Sequence, residues 1–167
     1  MKVKSGLRRA PLALALLVAS AWLLAACSAD TARVDFAALA RSGSPNDALA
    51  CPAALCPAKV DLVTAPVAMP AAALAAQVEA VLPAEPRTEL VSRTAAADGT
   101  VEYVLVQRSA VFRFPDTVNV LVRPVDDSRA VIAMYSRSNY GFGDFGVNLA
   151  RLKTWLADLG VTAAAGG

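Results

Sequence analysis

Asp116–Ser138, DTVNVLVRPVDDSRAVIAMYSRS, is the stretch that decides the fold. Val118, Val120 and Val122 alternate with Thr117, Asn119, Leu121 and Arg123, and a second apolar run, AVIAMYSRS, begins at Ala130. Alternation of period two marks a strand with one buried face. Between the runs lies PVDDSR, whose Asp126-Asp127 pair favours a bend because an Asp side chain bonds its own backbone. That turn reading is preferred to general acid and base work for the two carboxylates. A turn so short forces its strands to run antiparallel.

The pattern continues on both sides. Upstream, RTELVSRT (87–94) and VEYVLVQRS (101–109) flank AAADG, in which Asp98-Gly99 signals a hairpin. Before them, MPAAALAAQVEAVLP (69–83) predicts a helix with Pro70 at its first position, Leu74, Val78, Val81 and Leu82 on one face, and Pro83 stopping it. Downstream, VNLARLKTWLADLG (147–160) repeats Leu149, Leu152, Leu156 and Leu159 at helical spacing beside Trp155, with Gly160 closing the end. Helix, four strands, helix is an α+β order. The expectation is one small α+β domain over 59–160, an antiparallel sheet of about four strands with two helices packed on one face. Residues 27–58, small, polar and broken by Gly43, Pro45, Pro52 and Pro57, read as a tether with a cysteine loop, and 161–167 as a disordered tail.

Between the last strand run and the last helix lies YGFGDFGVN (140–148), a literal G-x-G-x-x-G at Gly141, Gly143 and Gly146. A dinucleotide fingerprint also needs a second parallel strand with an acid about 20 residues on. Only GVTAAAGG follows the helix, the preceding strand belongs to a hairpin series, and Asp144 would repel phosphate. No dinucleotide and no other cofactor is therefore expected. The residues fit a glycine corner in which Asp144 caps the final helix, the glycines supply unusual backbone angles, and Phe142 and Phe145 tuck under the corner as core.

The first 26 residues have another character. Lys2, Lys4, Arg8 and Arg9 precede the uncharged run PLALALLVASAWLLAA, the form of an export signal. The run is shorter than the roughly 20 residues a membrane-spanning helix needs. It ends in Leu24-Ala25-Ala26-Cys27, which resembles the lipobox of bacterial lipoprotein signal peptides. The resemblance implies cleavage before Cys27 and lipidation of its sulfur, with residues 1–26 removed. Acyl chains add about 0.8 kcal/mol of membrane affinity per buried methylene. Ser28, where Asp would resemble an inner-membrane retention signal, implies default sorting to the outer membrane, facing the periplasm.

The whole chain carries 16 Lys+Arg and 14 Asp+Glu. Removing the four cations before Cys27 leaves 12 against 14, a formal charge of −2 without the basic footprint of a nucleic-acid binder. The chain contains no His, which removes His-bearing metal and haem sites and His-activated nucleophiles. Cys51 and Cys56, in CPAALCPAKV, stand where an exported protein keeps disulfides. A disulfide is favoured over free thiols, and a redox-active pair would depart from the C-x-x-C pattern.

YSRSNYGFGDFGVNLARLKTW resembles the C-terminal signature of the domain of unknown function 1499 family, close to R-S-x-S-R-x-G-Y-S-D-L-G-V-N-x-x-R. Ser136, Ser138, Gly141, Asp144, Gly146, Val147, Asn148 and Arg151 match it. FRFPDTVNV is similar to the family's F-x-D-D-V-E-F strand, with Phe114, Asp116 and Val118 in place, and CPAALCP to its C-P-x-x-x-N-C. Asn139 stands where the family usually has Arg, Thr117 and Asn119 replace Asp and Glu, and Gly143 replaces Ser. The resemblance implies no established activity.

The candidate binding or structural cluster is Ser136, Arg137, Ser138, Asp144, Asn148 and Arg151. As a site it would take an envelope protein or a small ligand. As structure, Asp144 caps, Asn148 bonds the corner backbone and Arg151 pairs with Asp144 or a carbonyl. The functional expectation is a lipid-anchored envelope module without enzymatic activity. The alternative is an enzyme using carboxylates or the Cys51/Cys56 pair.

Overall fold

The computed structural model describes residues 28–166; the leader and Cys27 lie outside the described residues. Seven strands form one sheet: β1 (Asp47–Cys51), β2 (Leu62–Thr64), β3 (Thr88–Ala95), β4 (Val101–Arg108), β5 (Pro115–Asp126), β6 (Arg129–Ser138) and β7 (Ala163–Ala165). Helix α1 (Ala71–Val81) falls between β2 and β3, and α2 (Val147–Asp158) between β6 and β7. The strands lie in the order β3-β4-β5-β6-β1-β2-β7. β1 runs parallel to β2, and every other pairing is antiparallel.

The fold is α+β, but the expected four antiparallel strands are four of seven in a mixed sheet. Asp47–Cys51 falls within the expected tether. It instead pairs with β6 from Asp47↔Arg137 to Ala50↔Met134 and occupies the sheet interior. Residues 163–165, within the expected disordered tail, pair with β2. The turns follow the local signals. Asp98 accepts the Thr100 amide in the β3–β4 hairpin, and Asp126 accepts the Ser128 amide between β5 and β6. Arg129 and then Ser128, by their hydrogen bonds, draw the Asp126 carboxyl down to about 2.

Both helices cover one face, as their apolar spacing requires. Leu74, Val78 and Leu82 from the α1 region meet Leu152, Trp155, Leu156 and Leu159 from the α2 region over Val118, Val120, Val122, Ile132 and Met134. The Tyr103 hydroxyl donates to Ala75 O and Glu79 Oε1, fixing α1 over β4. The opposite face is also covered. Leu49, Leu121, Ala133 and Tyr135 pack with Phe36, which is 3% exposed, and with Val34, Leu39 and Leu55. Residues 28–46 and 52–60 are thus a strap laid across the second face, and the central strands β1, β5 and β6 are buried on both sides. Cys51 and Cys56 are joined by a disulfide at the end of β1, within this second layer.

Candidate functional site

The corner between β6 and α2 is built by residues that leave ordinary backbone conformations. Gly141 and Gly146 have φ of 91° and 79°, and Phe145 lies at 55°. Asp144 stabilises this turn into the helix. Its Oδ1 accepts the Gly146 amide and its Oδ2 the Asn148 amide, each at 2.8 Å. A carboxylate there satisfies amides that have no partner within the helix and complements its positive end. The space a cofactor phosphate would occupy against these amides holds the Asp144 carboxylate.

Inside the corner, Asn148 is fully buried and Arg151 is 8% exposed. Ser136 Oγ donates to Asn148 Oδ1 at 2.6 Å, while Asn148 Nδ2 donates to Asn46 O and Ser138 Oγ. Arg151 Nη1 donates to both Ser136 Oγ (2.7 Å) and Asn148 Oδ1 (2.6 Å). Its Nε donates to Gln107 Oε1 at 2.6 Å, and Nη2 pairs with Asp116 Oδ2 at 2.7 Å. A guanidinium has five N–H donors, and these four bonds use most of them within the protein.

Arg151 therefore pairs with Asp116, rather than with Asp144 or a carbonyl. Sequence reading missed Asp116 and Gln107 as members of the network. Strand register brings them in: Thr88, Gln107, Asp116 and Ser138 are successive cross-strand partners from β3 to β6. Alternation along β6 sends Ser136 and Ser138 to the helix side.

Arg137 points the other way, so the structure does not gather the six residues on one face. Its Nη2 pairs with Asp30 Oδ2 at 2.7 Å on the strap. The three departures at Thr117, Asn119 and Asn139 lie on this same side. Thr117 Oγ1 donates to Asp30 O at 2.7 Å, Asn139 Nδ2 donates to Thr117 Oγ1 at 2.9 Å, and the Val34 amide donates to Asn119 Oδ1 at 3.3 Å. A hydrogen-bonded neutral set binds the strap where the resemblance implied charges of both signs. Farther along the strap, Arg41 bridges Asp47 and Asp61, and Tyr135 Oη donates to Asp47 Oδ2 at 2.7 Å. Burial, and then that bond to Asp47, push the Tyr135 phenol well above its ordinary value. A groove of about 650 Å³ beside this cluster is lined by Leu39, Arg41, Asp47, Lys59 and Asp61.

Phe142 and Phe145 do not tuck under the corner: they are 78% and 106% exposed. The corner is filled by Asn148, Arg151 and Ser136, leaving the rings outside. Among the described residues, no cluster of three or more Cys, Asp or Glu side chains is arranged to hold a metal ion.

No curated protein and no solved structure matches the chain. The family described as "Protein of unknown function (DUF1499)" matches residues 24–159, which cover both the strap and the corner network, and the chain belongs to that family.

Proposed function

We propose that this is a lipid-anchored protein of the bacterial cell envelope, attached through Cys27 to the outer membrane and facing the periplasm, where it serves as a non-enzymatic binding or accessory module. The junction at residues 24–30 carries the reading. Leu24-Ala25-Ala26-Cys27 has the form of a lipobox behind a basic and apolar leader. Immediately after it the chain is fixed to the domain, since Tyr140 Oη donates to Ser28 O and Arg137 pairs with Asp30. An anchor at Cys27 would hold the domain against the membrane without a long linker. The internal engagement of Arg151 supports the non-enzymatic half: a cation committed to Asp116, Ser136, Asn148 and Gln107 organises the fold.

Metabolic labelling with radioactive palmitate tests the anchor. The wild-type chain is expected to take the label and enter the detergent phase, and Cys27→Ser to lose both behaviours. An unlabelled wild-type chain overturns the reading. Cross-linking in intact cells followed by pull-down then identifies what the module binds.

The thiol-redox alternative draws on the bonded Cys51/Cys56 pair. Cys51 is completely buried, so an attacking thiolate would have to reach Cys56. Reduction of the folded chain by mild reductant would favour this alternative. Resistance until unfolding favours a structural clip.

A further inference from the structure

We infer that the end of the molecule formed by the β4–β5 and β6–α2 loops docks on a phospholipid bilayer, with its aromatic side chains entering the interface. The inference rests on the proposed anchor at Cys27 and adds an orientation to it. Phe112, Phe142 and Phe145 are 72%, 78% and 106% exposed, and Val111 is 78% exposed. Phe112 stacks on Phe114 with ring centroids 5.6 Å apart, and Phe114 lies 6.0 Å from Tyr140, so the two loops form one apolar surface. Contiguous apolar exposure of this kind marks an interaction surface.

Three further observations select lipid as the occupant. First, the described chain begins on this surface: Tyr140 Oη donates to Ser28 O at 2.9 Å. Cys27 directly precedes Ser28, so acyl chains on its sulfur would start beside the exposed rings. Second, Arg87 and Arg113 are exposed at the same end, where Arg87 Nε donates to Arg108 O and Arg108 Nη1 to Arg113 O. Cations beside aromatic rings suit a membrane interface with anionic headgroups. Third, all three non-glycine residues with positive φ in the described chain, Arg87, Arg113 and Phe145, lie here. Such conformations cost energy for residues with a Cβ and persist where the surroundings impose them. Here they present two cations and a phenylalanine to the outside.

The test uses the mature full chain reconstituted into phosphatidylethanolamine/phosphatidylglycerol vesicles. The environment-sensitive fluorophore NBD is placed at Phe142→Cys or, as a control, at Ala97→Cys in the exposed β3–β4 turn. β4 separates the two ends by eight residues, about 25 Å of extended strand. NBD emission at position 142 is expected to rise several-fold over that at 97, and nitroxide-labelled lipid to quench only the former. Equal quenching at both positions, or none at 142 in a chain whose N-terminal peptide carries lipid by mass, overturns docking and leaves the anchor standing. A lipid-free N-terminal peptide sinks the anchor instead. The unanchored chain mixed with the same vesicles then decides docking alone: quenching at 142 sustains it, and no quenching overturns it. A photo-crosslinking benzoylphenylalanine at position 142 that captures protein rather than lipid in cells also overturns it.

Discussion

Arg151→Ala removes the cation from a pair in which the Arg151 and Asp116 side chains are only 5% and 12% exposed. Asp116 is left as a buried carboxylate without its counterion, a change that costs about 3–5 kcal/mol. Gln107 Oε1, Ser136 Oγ and Asn148 Oδ1 lose the same donor group. Their losses overlap with that of the pair and are not added to it. The unfolding midpoint should fall by on the order of 10 °C or more for a domain of this size. Trp155, 1% exposed on α2, reports the transition in urea or heat, because Trp22, the other tryptophan, precedes the expected cleavage site. Arg151→Met combined with Asp116→Leu removes both charges and should recover most of the loss, since apolar replacement of a buried pair is close to neutral. A loss below about 1 kcal/mol for Arg151→Ala would refute the argument. If a cellular phenotype then disappeared while the midpoint held, Arg151 would belong to a ligand site.

The other expectations concern the strap and the turns. Phe36→Ala should cost about 3–5 kcal/mol in chemical denaturation, as for a buried phenylalanine, whereas Asp30→Ala, which breaks a pair whose Asp is 61% exposed, should cost no more than about 1 kcal/mol. Thiol titration of the mature chain should find no free cysteine. Replacing Cys51 and Cys56 together by Ala should lower stability by about 2 kcal/mol on the chain-entropy estimate for so short a loop. Asp126 is held near 2 against an ordinary 3.8, so its contribution is present above 3.8 and is lost as the pH falls through about 2. Asp126→Asn should flatten the acid limb of the stability curve in that window, and an unchanged limb would count against the Arg129 and Ser128 contacts as its cause.

The parts of the fold that were legible are those whose periodicity is local. β3 to β6 announce themselves by alternation and Asp-bearing turns, and the helices by Leu spacing. β1 was hidden for a physical reason: DALAC is short, is buried on both sides, and owes its strand conformation to pairing with β6, more than 80 residues away in pairs such as Asp47↔Arg137. β2 and β7 have three residues each, too few to show a period. In the site, the i, i+3 relation of Asn148 and Arg151 was readable from helix geometry. Asp116 was not, because its approach depends on the register of β5 against β6. The phenylalanines misled for a different reason. Apolar rings are more often inside than outside, and nothing local marks a loop whose interior is filled by polar residues instead.

The register that hid Asp116 also puts Arg151 and Asp30 on opposite faces of the sheet, although α2 and the end of the strap meet where Asn148 Nδ2 donates to Asn46 O. Asp116 and Thr117 are adjacent in β5, yet the first holds Arg151 beneath α2 and the second holds Asp30 of the strap. Along β6 and just past its end, Ser136 and Ser138 face the helix network while Arg137 and Asn139 bond Asp30 of the strap. Arg151 bonds Gln107, Ser136, Asn148 and Asp116, and Asp30 bonds Ala32, Thr117, Arg137 and Asn139, so the two share no partner and their energies should add. In a double-mutant cycle, Arg151→Ala and Asp30→Ala should be additive within about 0.5 kcal/mol, as for sites without shared partners. Arg151→Ala and Asp116→Ala, which share an ion pair, should depart from additivity by about 1–3 kcal/mol. Coupling of that size between Arg151 and Asp30 would mean that the contact of Asn148 with Asn46 ties the whole strap, as far as Asp30, to the corner. The strap could then not be loosened by membrane or partner without disturbing α2.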